Sequence, residues 1–235
     1  MSHHRRVYVV DGDTDDRRLI AAQLSAIGAD AWPLESGAEL LAVVDRLAPG
    51  CVLLDLANGL PGLAILDDLR RMAPGWPIMG LGHAHDLEIA VEAMKRGASD
   101  FLCKPISSLQ LAAALTPAWA HLQEAIDADE VRTSAQKRVT RLTPREFDVF
   151  LALVVGKANK TAAHQLGISV RTVEMHRARI MMKLGVRSLS EATLLMTRAG
   201  IDLSPVLAFR GERATPQAHL LPGQPALRRI GAGAS

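Results

Sequence analysis

Residues 6–56 read RVYVVDGDTDDRRLIAAQLSAIGADAWPLESGAELLAVVDRLAPGCVLLDL. Three short apolar runs, 7–10, 29–34 and 51–54, alternate with stretches whose apolar residues recur at helical spacing: Ile20, Leu24 and Ile27, then Leu40, Val44 and Leu47. The same rhythm continues downstream with candidate strands at 77–81 and 100–103. Strands and helices in strict alternation predict a parallel sheet covered by helices on both faces. At about 120 residues the economical solution is an α/β, flavodoxin-like, doubly wound five-stranded sheet of order 2-1-3-4-5. Its ligand crevice lies beyond the carboxyl ends of the strands, at the switch between the first and third.

That crevice is where the sequence concentrates charge. The first strand ends in Asp11, Gly12 and Asp13, the third in Asp55, and the fifth in Lys104 followed by Pro105. Carboxylates facing one ammonium suit a hard divalent cation and an incoming phosphoryl group. The alternative is that these aspartates cap strand ends and start helices, as residues 13–16 can.

The chain has 235 residues, 49% hydrophobic and 22% charged, which suits two small globular modules and not a disordered chain. Aromatics make up 3%, with a single Tyr, against stacking platforms for unpaired bases. No apolar run approaches the ~18 residues that span a bilayer, and the start lacks a signal-peptide core. A cytoplasmic protein without membrane contact is expected. Cys51 and Cys103 lie in apolar runs without metal-ligand spacing, so both are expected in the core, with no disulfide and no zinc. The net charge of +2 divides unevenly: −5 over residues 1–120, +5 over 121–200 and +2 over 201–235. An acidic front and a basic back are expected when only the second module meets a polyanion.

Past Lys104 a helical pattern runs through Leu111, Leu115, Trp119, Leu122 and Ile126 into the polar stretch 127–141. The expected division is a first domain at 1–122, a linker at 123–140 that is helical at its start, a second domain at 141–203, and a loose Pro- and Gly-rich tail at 204–235. In the second domain Thr143, Pro144 and Glu146 form a capping box before the stripe Phe147, Phe150, Leu151 and Val154. Asn159 is the expected cap of a short second helix that Gly167 ends, and Ser169 the cap of a third, from 170 to 184. The third helix buries Val173, Ile180 and Leu184. It presents Arg171, Glu174, Met175, Ala178 and Met182 outward, with Arg177, Arg179 and Lys183 along its rim. This is helix-turn-helix geometry, and the alternative is an ordinary helical bundle with a solvated basic face.

The string LTPREFDVFLALVVGKANKTAAHQLGISVRTVEMHRARIMMKLGVRSLSEA (142–192) resembles the LuxR/FixJ-type helix-turn-helix along its length. VYVVDGD (7–13), CVLLDLANGLPG (51–62) and AVEAMKRGASDFLCKP (90–105) resemble a response-regulator receiver. Both together, in this order, look like a FixJ/NarL-type response regulator. The resemblance implies a DNA-binding transcriptional regulator that is not an enzyme. Its partners would be double-stranded DNA, a second copy of itself through a helix at about 189–199, and a histidine kinase or other signalling protein. Carried over by position, it places base reading on Glu174, Met175 and Ala178. Phosphate contacts fall on Lys160, Thr172, Arg179 and Lys183, and the rim residue Arg177 is counted with them. His176 is read as half-buried packing in preference to a phosphate contact.

In the receiver, the resemblance makes Asp55 the phosphoacceptor and Lys104 the phosphoryl contact. Mg²⁺ would be held by Asp11, Asp55 and a second acid, and Phe101 is the switch aromatic. This sequence departs at several of those places. Gly12 stands where the second acid belongs, leaving Asp13 as substitute; Leu81, Gly82 and His83 stand where a hydroxyl is expected; and the loop LANGLPG lacks Met-Pro. The expectation is an atypical receiver with weak Mg²⁺ binding at most and little or no phosphorylation. The alternatives are a conventional phosphorylation-driven regulator and a protein-interaction adaptor without specific DNA binding.

Overall fold

The sheet of the computed structural model is built from β1 (Arg6–Val10), β2 (Asp30–Leu34), β3 (Cys51–Asp55), β4 (Ile78–Gly82) and β5 (Asp100–Cys103), all parallel, in the order β2-β1-β3-β4-β5. The structure describes residues 5–57 and 59–204. The central strands β1, β3 and β4 are continuous apolar runs because helices cover both their faces. Edge strand β2 is largely exposed and tolerates Pro33, whose missing N–H breaks no ladder on the outer side. Between the strands run α1 (Thr14–Ala26), α2 (Gly37–Val43) with a 3₁₀ turn at Val44–Arg46, α3 (Leu60–Met72) and α4 (Leu87–Lys95). β1 pairs with β2 on one side and β3 on the other, so the chain switches direction there and the ends of β1 and β3 open onto the rim that carries Asp11 and Asp55. Cys51 is buried, and burial pushes its thiol up to about 12. Cys103, expected in the core, is exposed instead because it ends the short edge strand β5.

The chain divides into two compact units, one to Ala128 and one from Asp129. α5 (Ser108–Val139) begins in the first and ends in the second. The linker expected to be helical only at its start is therefore helical to Val139. Its apolar signal is sparse but periodic: Ala135 and Val139, one turn apart, are buried in the core of the second unit. α6 (Pro144–Val154), α7 (Asn159–Leu166), α8 (Val170–Leu184) and α9 (Leu189–Arg198) complete that unit. The Thr143 capping box forms, with the Thr143 N–H donating to Glu146 Oε2 at 2.8 Å and the Glu146 N–H to Thr143 Oγ1 at 3.3 Å. Ser169 caps α8 as expected, accepting from the Thr172 N–H at 3.1 Å. Asn159 is not a cap: Ala158 holds that position in extended conformation without a side-chain bond, and Asn159 is already helical. Gly167 (φ 64°) and Gly185 (φ 60°) end α7 and α8 in the left-handed region, where a side chain would be strained. Residues 205–235, the expected tail, lie outside the described residues.

Candidate functional site

At the rim of the first unit, Lys104 stands among three carboxylates. Its Nζ donates to Asp11 Oδ2 at 2.7 Å and forms ion pairs with Asp16 Oδ2 and Asp55 Oδ1, each at 3.0 Å. Only the Asp11 contact is a well-directed hydrogen bond; Asp55 Oδ1 is buried without one. The ammonium is 8% exposed and Asp11 is 1% exposed, so their attraction is little screened by water. Burial pulls the Lys104 ammonium down, but its bonds to Asp11, Asp16 and Asp55 outweigh this and hold it above its ordinary value. The main chain fixes the lysine too, its N–H donating to Gly82 O at 2.7 Å. Arg17 completes the surroundings, donating to Asp11 O at 2.5 Å and to Thr14 Oγ1 at 3.3 Å, with Glu35 at 3.6 Å.

The structure brings Asp11, Asp55 and Lys104 together as the sequence predicts, and turns Asp13 to another task. Asp13 caps α1, its Oδ1 accepting from the N–H groups of Asp15 at 2.8 Å and Asp16 at 3.0 Å. Those backbone N–H groups hold its carboxyl below the usual carboxylate range. The trio Asp11, Asp13 and Asp55 is therefore not assembled as a metal cage: the carboxylates that converge are Asp11, Asp16 and Asp55, and they surround the Lys104 ammonium. Asp16 was missed by sequence reasoning, which grouped it with the helix-start aspartates. Nothing in its spacing reveals that its carboxylate meets the Lys104 ammonium reaching across from the end of β5.

Phe101 is half-buried on β5 and packs against two glycines of β4. A Cβ on Gly80 would come within 2.8 Å of its ring and one on Gly82 within 2.6 Å. The space expected to hold a hydroxyl-bearing side chain is thus filled by an aromatic ring. Beyond it the His83 N–H donates to Asp86 Oδ2 at 2.7 Å, and the rings of His83 and His85 stack at 5.5 Å.

In the second unit α8 buries Val173, Ile180 and Leu184 and leaves Arg171, Glu174, Met175, Arg177, Ala178, Arg179 and Met182 exposed. Lys160 on α7 is exposed as well, and Thr172 is half-buried with its hydroxyl 2.8 Å from Ser169 Oγ. Lys183 differs from the other cations: its Nζ donates to Glu146 Oε2 at 2.6 Å. Burial pushes the Glu146 carboxyl up, but Lys183 and the N–H and hydroxyl of Thr143 outweigh it and hold the group below its ordinary value. His176 is half-buried, its Nδ1 enclosed without a partner among the described residues, which fits a packing role. Two arginines cap helices from outside: Arg145 donates to Leu166 O, and Arg138 to Leu184 O and, at 2.9 Å, to Gly185 O.

Comparison with known proteins places both units. The model of the response regulator receiver domain matches residues 7–116, and that of bacterial regulatory proteins of the luxR family matches residues 140–196. The transcriptional regulatory protein FixJ of Bradyrhizobium diazoefficiens is 34% identical over 202 residues, covering 86% of this chain and 98% of that protein. The tetrathionate response regulatory protein TtrR of Salmonella typhimurium is 36% identical over 186 residues, covering 79% and 88% respectively. A solved structure of the response regulator StyR superposes with a TM-score of 0.71 at 31% identity, covering 82% of this chain and 98% of that one. No helix among the described residues is long and apolar enough to cross a membrane.

Proposed function

The chain belongs to the response regulators that join a receiver to a LuxR-type helix-turn-helix, two-component regulators that bind DNA, and from that membership we propose a regulator whose DNA binding does not depend on phosphorylation of Asp55. The observation that carries this reading is the make-up of the receiver rim, where Asp11, Asp16 and Asp55 surround the Lys104 ammonium. Position 12 has no side chain, and Asp13 is held by two backbone N–H groups of α1. Phosphoryl transfer to a carboxylate brings two anions together, and a bound Mg²⁺ supplies the charge that offsets their repulsion. The residues present do not fit that ion. The Phe101 ring in its glycine slot adds a second obstacle, because strand four offers no hydroxyl to follow a phosphoryl group.

In the second unit α8 enters the major groove, as helix-turn-helix proteins do. Glu174 accepts from a cytosine N4 amino group, and Met175 and Ala178 meet thymine methyls. Lys160, Thr172, Arg177 and Arg179 bond phosphates. Lys183 holds Glu146 and leaves phosphate binding to the other cations. Two copies pair through α9, whose Leu194 is half exposed, so that two α8 helices read a roughly palindromic operator.

The test is the intact mass of the protein and of Asp55→Asn after incubation with Mg²⁺ and acetyl phosphate, with DNA retention measured on the same samples. The expected result is no phosphate adduct on either protein and equal retention. An adduct on wild type alone, accompanied by tighter retention, would overturn the reading.

A further inference from the structure

A lysine ammonium has three N–H donors. At Lys104 three carboxylate oxygens lie within 2.7–3.0 Å of Nζ, from Asp11, Asp16 and Asp55, and the group is 8% exposed. Asp11 and Asp55 are the expected neighbours at strand ends; Asp16 reaches in from the first turn of α1. No other hydrogen bond or ion pair engages the Asp16 side chain among the described residues, so this contact alone accounts for its orientation.

We infer that Asp16 is a positioning residue that holds Lys104 through a third short ion pair, so that the ammonium is already surrounded by carboxylates when a phosphoryl oxygen arrives. The inference rests on the reading of the receiver given above and names a second cause for it, distinct from the missing acid at position 12. Two effects act together. With Asp16 in place, Lys104 must give up a short ion pair before it can bond a phosphate. The Asp16 carboxylate also adds a third negative charge around one ammonium, which repels an anionic donor. Restoring an acid at position 12 therefore does not suffice, and Asp16 must also be neutralised.

Both sites tolerate substitution. A Cβ at Gly12 would meet nothing within 4 Å, and Asp16 is 41% exposed. The experiment compares wild type, Asp16→Asn, Gly12→Asp and the double variant, each full length, with Mg²⁺ and acetyl phosphate. In the labelling step an Asp55 oxygen bonds to phosphorus while the bond to the acetate oxygen breaks, and acetate leaves with the electron pair. The rate of adduct formation is read by intact mass. The expected result is labelling of the double variant about ten-fold or more faster than Gly12→Asp, the weight of one charge-assisted contact. Equal rates, or no adduct on the double variant, would overturn the inference. Wild type tests the underlying reading separately: if it takes up phosphate, that reading fails, and Asp16→Asn must still label about ten-fold faster than wild type for the lock to stand. A second readout needs neither metal nor donor. The Lys104 ammonium should give a slowly exchanging nitrogen–proton NMR signal in wild type that is lost in Asp16→Asn, and a signal equally sharp in both proteins would contradict the lock.

Discussion

Lys183 and Arg179 lie four residues apart on one helix and differ in their surroundings. Arg179 is exposed; Lys183 donates to a Glu146 that is 4% exposed. Replacing Arg179 by Ala should weaken DNA binding evenly across sequences and reduce the slope of log K against log salt by about one. Lys183→Ala should leave that slope unchanged and lower unfolding stability by about 1–3 kcal/mol, by leaving a buried carboxylate without its partner, and denaturant titration beside salt-dependent binding separates the two. Glu174→Ala should relax preference at one base pair by about 1–3 kcal/mol, seen as a flattened position in operator selection. The Glu146 shift fixes a pH dependence. Its carboxyl is depressed in the folded protein, so its contribution is full above the ordinary value of 4.5 and is lost as pH falls through the lower folded value. Melting temperature followed from neutral to acid pH should therefore drop less steeply in Glu146→Gln than in wild type, and parallel curves would contradict the pairing.

At the scale of elements, β4 and β5 are matched through a missing side chain. Gly82→Thr should cost about 1–3 kcal/mol by driving a methyl or hydroxyl into Phe101, and pairing it with Phe101→Ala should cost less than the two single changes together. The end of α5 is similarly committed to the second unit. Val139 is buried there, and Arg138 bonds the carbonyls of Leu184 and Gly185 at the end of α8. Arg138→Ala should speed amide hydrogen exchange in the last turn of α8. The strands were legible because β1, β3 and β4 are unbroken apolar runs, and α6 because its capping box is a local signal. The helical linker was less so, since Ala135 and Val139 stand nearly alone in a polar stretch. Asp13 and Asp16 were indistinguishable by type, and only the reach of the Lys104 side chain to Asp16 separates a cap from an ion-pair partner.

Across the whole molecule the charge division follows the two units, an acidic receiver and a basic DNA-binding unit. A receiver whose Lys104 ammonium is surrounded by its own carboxylates, and whose Phe101 ring fills the space beside Gly80 and Gly82, has little left for a phosphoryl group to change. On the proposed reading its signal is carried by pairing of copies or by a partner, and phosphoryl acceptance at Asp55 is reduced or lost. The most direct measurement is a DNA-binding isotherm on an operator selected from random sequence, for wild type and Asp55→Asn, each with and without Mg²⁺ and acetyl phosphate. Four curves with one midpoint are expected. A midpoint about ten-fold tighter for wild type with the donor, and for no other sample, would contradict it.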